Sequence, residues 1–330
     1  MKIGLIGAGG IATAHLPAWV EQGHDVRVYT ADGKAADLVG RFGGTVADSF
    51  DDVLAWCDAA DVCTPTPTHR AIVEQAAAAG VHVMCEKPLA RTSADARAAV
   101  AACAEAGVLL FPAHVVRFFP AYRAANEAVQ RGDIGAPGVL RFSRIAEFPG
   151  RSGWYADEAQ SGGILMDLMI HDLDQARRLA GPAASIYAVR RQRGAGDRIV
   201  GAAHAVVTHA SGAISHCASV WSPPGTTFRT TFDLAGSDGI LSYDSTAHPG
   251  LEFDGARSSE RPETAYLPPM TSAETPYAAE IREFATAITT GAAVSVTAAD
   301  GIAAVDLALA GMKSLETGQR IELAEQEVAT

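Results

Sequence analysis

From Met1 to Pro112, short apolar runs alternate with alanine-rich stretches of helical period. The runs are Lys2–Ile6 (KIGLI), Val26–Tyr29 (VRVY), Asp61–Thr64 (DVCT), Val81–Cys85 (VHVMC) and Val108–Phe111 (VLLF). Runs this short and this apolar suit strands covered on both faces, and the helices between them act as crossovers that keep the strands parallel. The pattern predicts a doubly wound α/β domain over residues 1–118.

Beyond "RFFPAYRAANEAVQRGDIG" (Arg117–Gly135) the period shortens to two. Alternating segments run over Val139–Glu147, Ser185–Arg193, Ala202–His209, Ala213–Val220, Phe228–Leu234 and Ile240–Tyr243, with the turn signals ASG and GSDG joining hairpins. Residues 119–330 are therefore predicted to form a second, α+β domain around a large open, mostly antiparallel sheet. Helices should cover one face. The other is a long flat surface of a kind that soluble proteins rarely leave bare. Helical period returns over Pro276–Thr290 and Ala298–Thr317, where the sequence reads as packing with little sign of chemistry. The prolines at Pro223-Pro224 and Pro268-Pro269 read as connections rather than domain boundaries.

Composition narrows the class. With 330 residues, 48% hydrophobic and 19% charged, the chain can bury a large core in two domains. A formal net charge of -12 without a dense Lys/Arg cluster argues against nucleic acid or an anionic membrane as partner, which leaves a small molecule. The five cysteines (Cys57, Cys63, Cys85, Cys103, Cys217) show no C-x-x-C spacing, the chain opens at once as a strand, and no apolar run reaches spanning length. The expectation is a cytoplasmic protein.

The first run leads into "GAGGIA". Gly7 permits a tight turn, Gly9 lets backbone approach a pyrophosphate, and Ala12 lets helix and strand pack closely; Gly10 and Ile11 complete the loop. Such a match also describes an ordinary glycine turn. Its position, after the first strand and before the amphipathic segment Ile11–Val20, favours a dinucleotide. The acidic residue expected at the end of the second strand is replaced by Thr30, with Asp32 two residues later and Lys34 close enough to meet a 2'-phosphate. NAD and NADP both remain open. Asp32, with no arginine directly following, leans to NAD, and a plain turn is an equal reading of these residues.

In open parallel sheets ligands sit outside the carboxyl ends of the strands. Glu86, Lys87 and Pro88 follow such an end, as do Thr64, Pro65 and His69 in "CTPTPTHR". A solvated surface turn is the competing reading for the Glu-Lys-Pro tripeptide.

A second constellation lies in "SGGILMDLMIHDLDQARRLAGP" (Ser161–Pro182). Asp167, His171, Asp174 and Arg178, at steps of four, three and four, fall on one helical face amid apolar neighbours. The stripe is either a solvated surface or the wall of an active site, where flanking carboxylates orient an imidazole and raise its basicity. A metal held by His171, Asp172 and Asp174 competes weakly, since Asp172 points elsewhere; His204, His209 and His216 lie at odd separations on strands. No metal is expected. For substrate, Trp154 and Tyr155 offer rings to stack on a sugar or polyol, or else core packing, and Arg151 and Asp157 offer hydroxyl partners. His114 and Arg117 are further candidates, with a purely structural role open for Arg117.

Taken together, "GAGGIA", "TPTPTH", "AGVHVMCEKPLA", "RFFPAY", "GDIG", "GGILMDLMIHDLD", "FATAITTG" and "SLETGQRIEL" resemble the Gfo/Idh/MocA family of NAD(P)-dependent oxidoreductases, almost end to end. The specific pair is E-K-P with D-x-x-x-H-x-x-D. The resemblance implies a Rossmann domain and a substrate domain, and oxidation of sugars, inositols and related polyols. It implies that Lys87 projects into the active site, that Glu86 lies near the nicotinamide ribose, and that Asp167 and His171 supply the catalytic element with His171 as base. It also implies association of subunits through the open sheet face, as a dimer or tetramer. Two alternatives stand within the wider family: a glycosidase that oxidises the sugar transiently with tightly held NAD, and a dinucleotide-binding sensor without turnover.

Overall fold

The computed structural model describes residues 1–150, 153–195, 198–246 and 274–323. Its contacts divide the chain into two compact units, 1–118 with 270–305, and 119–269 with 306–330.

The first unit is built on the strands β1 (Lys2–Ile6), β2 (Asp25–Tyr29), β3 (Thr45–Val46), β4 (Ala59–Val62), β5 (His82–Glu86) and β6 (Leu110–Ala113). They lie in the order β3-β2-β1-β4-β5-β6, every pair parallel, which is the doubly wound arrangement expected. Strand bounds move by one or two residues from the apolar runs: β4 starts two residues before Asp61, and β5 reaches Glu86. The two-residue β3 is too short to register as a run.

Local chemistry starts and stops the crossovers. Ser49 and Thr92 accept the N–H groups of Asp52 and Asp95, both at 3.1 Å, capping the helices Phe50–Trp56 and Ser93–Ala106. Gly107 ends the latter in the left-handed conformation. The later helix Pro276–Thr290, capped by Thr275, belongs to this unit and buries Ile281 and Phe284 completely against Trp19 and Phe111.

In the second unit β7 (Pro137–Glu147), β8 (Ala183–Arg193), β9 (Val200–His209), β10 (Ile214–Ser222), β11 (Arg229–Gly236), β12 (Ile240–Asp244) and β13 (Ile321–Glu322) form a sheet in the order β12-β11-β7-β10-β9-β8-β13. All its pairs are antiparallel except β7 with β10. The turns at Ala210–Gly212 and Gly236–Gly239 join hairpins as their sequences predict. Burial alternates along β9, along β7 from Leu140 onward and along β10 up to Trp221. The inner residues Leu140, Phe142, Cys217 and Trp221 are buried, whereas Tyr187, Val189, Val200, Ile214 and Ile240 are large apolar side chains exposed on the opposite face.

An ion pair crosses this interior. Arg144 on β7 gives two hydrogen bonds to Asp172, Nε to Oδ2 at 3.1 Å and Nη2 to Oδ1 at 2.7 Å, with both residues almost fully buried. The Arg144 guanidinium also donates to the Tyr122 hydroxyl at 3.4 Å, and that hydroxyl is hydrogen-bonded to Thr230. Burial works against the charge on Arg144, but Asp172 and Tyr122 together overcome it and raise the pKa of the guanidinium further. The fork geometry of guanidinium on carboxylate makes this a fully paired site.

Candidate active site

The glycine loop is constrained where the sequence predicts. Gly7 has φ +103°, and a Cβ there would stand 2.6 Å from the Cys63 carbonyl oxygen, so only glycine fits the turn. A Cβ on Gly9, by contrast, would meet nothing within 4 Å. Gly10 accepts the Thr13 hydroxyl at 2.5 Å, and Ile11 stands at the N-terminus of the helix Ala12–Glu21, whose first residue is fully buried. This is a loop whose backbone a pyrophosphate can approach at a helix N-terminus.

Past β2, the Thr30 hydroxyl donates to Asp32 Oδ1 at 2.8 Å, and Lys34 forms an ion pair with Asp32 Oδ2 at 2.8 Å. Lys34 holds the Asp32 carboxyl below the usual range. The turn thus presents a neutralised acid rather than a bare one.

At the end of β4, Thr64 is half-buried and Pro65 exposed, and a 3-10 turn over Thr66–Thr68 leads to the helix His69–Ala78. His69 is buried between two carbonyl oxygens, Pro88 O at 3.0 Å from Nδ1 and Thr64 O at 2.9 Å from Nε2. Burial lowers its pKa, and a neutral ring donates to one of these oxygens at a time. The ring therefore braces the Glu86-Lys87-Pro88 turn against the loop after β4. In that turn Glu86 is buried, Lys87 is half-buried, and the Lys87–Pro88 peptide is cis. The Lys87 N–H donates to Glu86 Oε2 at 3.0 Å.

Behind the turn lies a buried polar cluster that the sequence reading did not anticipate. His15 Nδ1 is 2.8 Å from Asp61 Oδ2 and its Nε2 is 3.1 Å from Glu86 Oε1. The Trp19 indole N–H also donates to Asp61 Oδ2, at 2.7 Å. Glu280, fully buried on the helix Pro276–Thr290, has neither carboxyl oxygen hydrogen-bonded; burial and the nearby Glu86 push its pKa well up. That helix, read from sequence as packing with little sign of chemistry, thus brings a buried titratable group into the cluster. A signal existed: an aspartate inside the strand run "AADV" and a histidine inside "AHLPAWV" are polar residues where only apolar ones belong. Ligand atoms of His15, Asp61 and Cys63 fall within 4.8 Å of one another, but 2.8 Å between Nδ1 and Oδ2 is a hydrogen bond.

Two candidates near the end of this unit are buried. His114 lies just past β6, and Arg117 donates to Ser295 O at 2.7 Å and Asp300 at 3.1 Å, which gives it a bracing role.

In the second unit the element expected as one helix runs on without interruption from Gly163 to Ala180, with a π-helical turn inside it and a separate short helix before it. The helix Glu158–Ser161 ends at Gly162 and Gly163, both at positive φ, and is followed by a π-helical turn over Leu165–Met169 and the α-helix Ile170–Ala180. The π turn widens the helix at Asp167, so the uniform step of the predicted stripe does not hold there. Asp167, His171 and Arg178 are half-buried, whereas Asp174 and Asp172 are buried, Asp172 by its pairing with Arg144. Trp154 and Tyr155 stack on one another with centroids 4.1 Å apart. Asp157 caps the helix Glu158–Ser161, accepting the Ala159 N–H at 2.9 Å. His204 and His216 are exposed and His209 is buried, the opposite faces their spacing predicts. Arg151 and the Pro268-Pro269 connection lie outside the described residues.

Comparison with known proteins decides the family. Residues 1–114 match the oxidoreductase family with an NAD-binding Rossmann fold, and residues 122–242 match the GFO/IDH/MocA C-terminal domain. The chain belongs to the Gfo/Idh/MocA family. It is 34% identical over 288 residues to a D-apiose dehydrogenase of Paraburkholderia graminis, covering 84% of this chain and 76% of that protein. An inositol 2-dehydrogenase of Rhizobium meliloti is 29% identical over 98% of this chain and 99% of its own. Among solved structures, GenD2 from gentamicin A biosynthesis in complex with NAD superposes with a TM-score of 0.85 at 26% identity, covering 98% of this chain and 96% of that one. As a Gfo/Idh/MocA protein the chain is an oxidoreductase of the NAD-binding type, and the glycine loop fits that cofactor.

Proposed function

We propose that this protein transfers hydride between a secondary alcohol of a sugar, inositol or related polyol and a nicotinamide dinucleotide. The observation that carries the reading is the coexistence of the Gly7 loop and the Glu86-Lys87 turn with the Asp167–His171 element, in a chain whose relatives are named for apiose and inositol oxidation. The dinucleotide would be held by Gly7, Gly9, Gly10, Ile11 and Ala12 at the helix start, with Thr30, Asp32, Lys34, Thr64, Pro65 and Glu86 as its further partners. When bound it supplies the hydride acceptor. His171 takes the hydroxyl proton as the carbon loses hydride, the carbon–oxygen bond becomes a carbonyl, and Lys87 donates a hydrogen bond to the developing alkoxide. Asp167 orients the imidazole. Trp154, Tyr155, His114 and Arg117 are the further substrate-side candidates, the last two secondary because both are buried.

NAD is the preferred form in this reading, supported by Asp32 two residues beyond Thr30 with no arginine directly following. A homo-oligomer formed through the outer sheet face is supported by its exposed Tyr187, Val189, Val200 and Ile214. A cytoplasmic location is supported by five free, buried cysteines. Among the described residues no helix is long and apolar enough to cross a membrane.

The test is absorbance at the reduced-nicotinamide band with NAD or NADP and a panel of inositols, aldoses, anhydrosugars and glycosides. Reduction of the dinucleotide that depends on one member of the panel, which is oxidised in turn, is expected. Glycoside cleavage without net reduced cofactor would favour the transient-oxidation glycosidase, and tight dinucleotide binding with neither reaction would favour a sensor.

A further inference from the structure

We infer that His15 is a positioning residue, a doubly donating imidazolium that holds Glu86 so that its second oxygen receives the Lys87 N–H. Three contacts in series carry this: Asp61 Oδ2 to His15 Nδ1 at 2.8 Å, His15 Nε2 to Glu86 Oε1 at 3.1 Å, and Glu86 Oε2 to Lys87 N at 3.0 Å. A carboxylate only accepts. With Asp61 and Glu86 both ionised, a neutral imidazole, having one N–H, would set its other nitrogen's lone pair against a carboxylate oxygen, so both nitrogens carry protons.

The surroundings support that state. Asp61 is fixed by three donors, since besides His15 it takes the Trp19 indole N–H at 2.7 Å and the Cys63 thiol at 3.5 Å. The groups facing His15 are Asp61 on β4, Cys63 just after it, Glu86 on β5, and Tyr277 and Glu280 on the helix Pro276–Thr290, with the Tyr277 ring 5.5 Å away. Burial opposes a charge on His15, but Asp61 and Cys63 together overcome it, and the pKa is raised well above the ordinary value. His15 stands one turn into the helix that begins at the glycine loop. It links the segment that receives the dinucleotide phosphates to the backbone of Lys87, and in that respect the inference rests on the proposed function.

Two arms test it. The first is long-range ¹H–¹⁵N NMR of the histidine-labelled protein at pH 8.5, where an ordinary histidine is about 1% protonated. His15 is expected to show two protonated nitrogens, assigned by the signal's loss in His15→Gln or its shift in Asp61→Asn. A neutral single tautomer would overturn the inference. In the second arm, folded His15→Gln is expected to lose about 10- to 10²-fold in kcat while the dinucleotide Kd stays within about threefold. Unchanged kcat would equally overturn it. Should the wild-type protein reduce neither dinucleotide with any panel compound, the functional reading falls, whereas the NMR arm needs no substrate and still decides the state of His15.

Discussion

The two units bury charge in opposite ways. In the second unit, Arg144 and Asp172 satisfy one another through two hydrogen bonds, with Tyr122 and Thr230 completing the network. In the first, one imidazole faces Asp61 and Glu86, and Glu280 lies close by with its carboxyl oxygens unbonded. The balanced pair has nothing left to offer a ligand, so its role is to fix β7 against the helix Ile170–Ala180. The unbalanced cluster stands behind the Glu86-Lys87-Pro88 turn, where burial and the nearby Glu86 raise the pKa of the Glu280 carboxyl well above its ordinary value. Buried charge that closes on itself reads as architecture; buried charge that stays out of balance beside a strand end reads as function.

A single substitution should cost the most stability in the second unit. Asp172→Ala leaves the Arg144 guanidinium buried without its partner and is expected to lower stability by about 3–5 kcal/mol in denaturant unfolding. A loss as small as that of a surface substitution would remove the contrast. Gly7→Ala comes next. A left-handed turn pressed against the Cys63 carbonyl makes this change cost about 1–3 kcal/mol, with a larger proportional loss of dinucleotide binding by calorimetry.

Glu280→Gln reports on the first unit through pH. The folded pKa of Glu280 is raised, so its contribution to stability is full below the unfolded value of about 4.3 and is lost as pH rises towards the folded one. The glutamine variant, which cannot ionise, should match the wild type near pH 4 and become progressively more stable than it as pH rises, in thermal melts across that range. A constant difference would mean that Glu280 does not titrate on unfolding. The smallest effect belongs to Asp32→Asn. Its ion pair with Lys34 is exposed, so the melting temperature should not move, while the ratio of kcat/KM for NAD over NADP should fall.

Most of the fold was legible because each element carries its own period. Runs such as KIGLI and the alternation along Val139–Glu147 state strand type and burial without reference to any other segment. The Gly7 loop was legible for the same reason, being local chemistry in one turn. What escaped was set by pairing at long range: Asp61 and Glu86 lie 46 and 71 residues from His15, and no periodicity links them. The π turn at Leu165–Met169 escaped because a 3.6-residue period and a slightly wider one are indistinguishable over five residues. Asp172 was set aside because it points away from His171, and that direction is what delivers it to Arg144.

The proposed chemistry turns on His171. The most direct measurement is turnover and dinucleotide affinity of His171→Ala beside the wild type, with whichever polyol the panel identifies. The account predicts a fall in kcat of about 10²–10⁴-fold with dinucleotide Kd unchanged within about twofold. Equal losses in both, or full turnover without the imidazole, would contradict it.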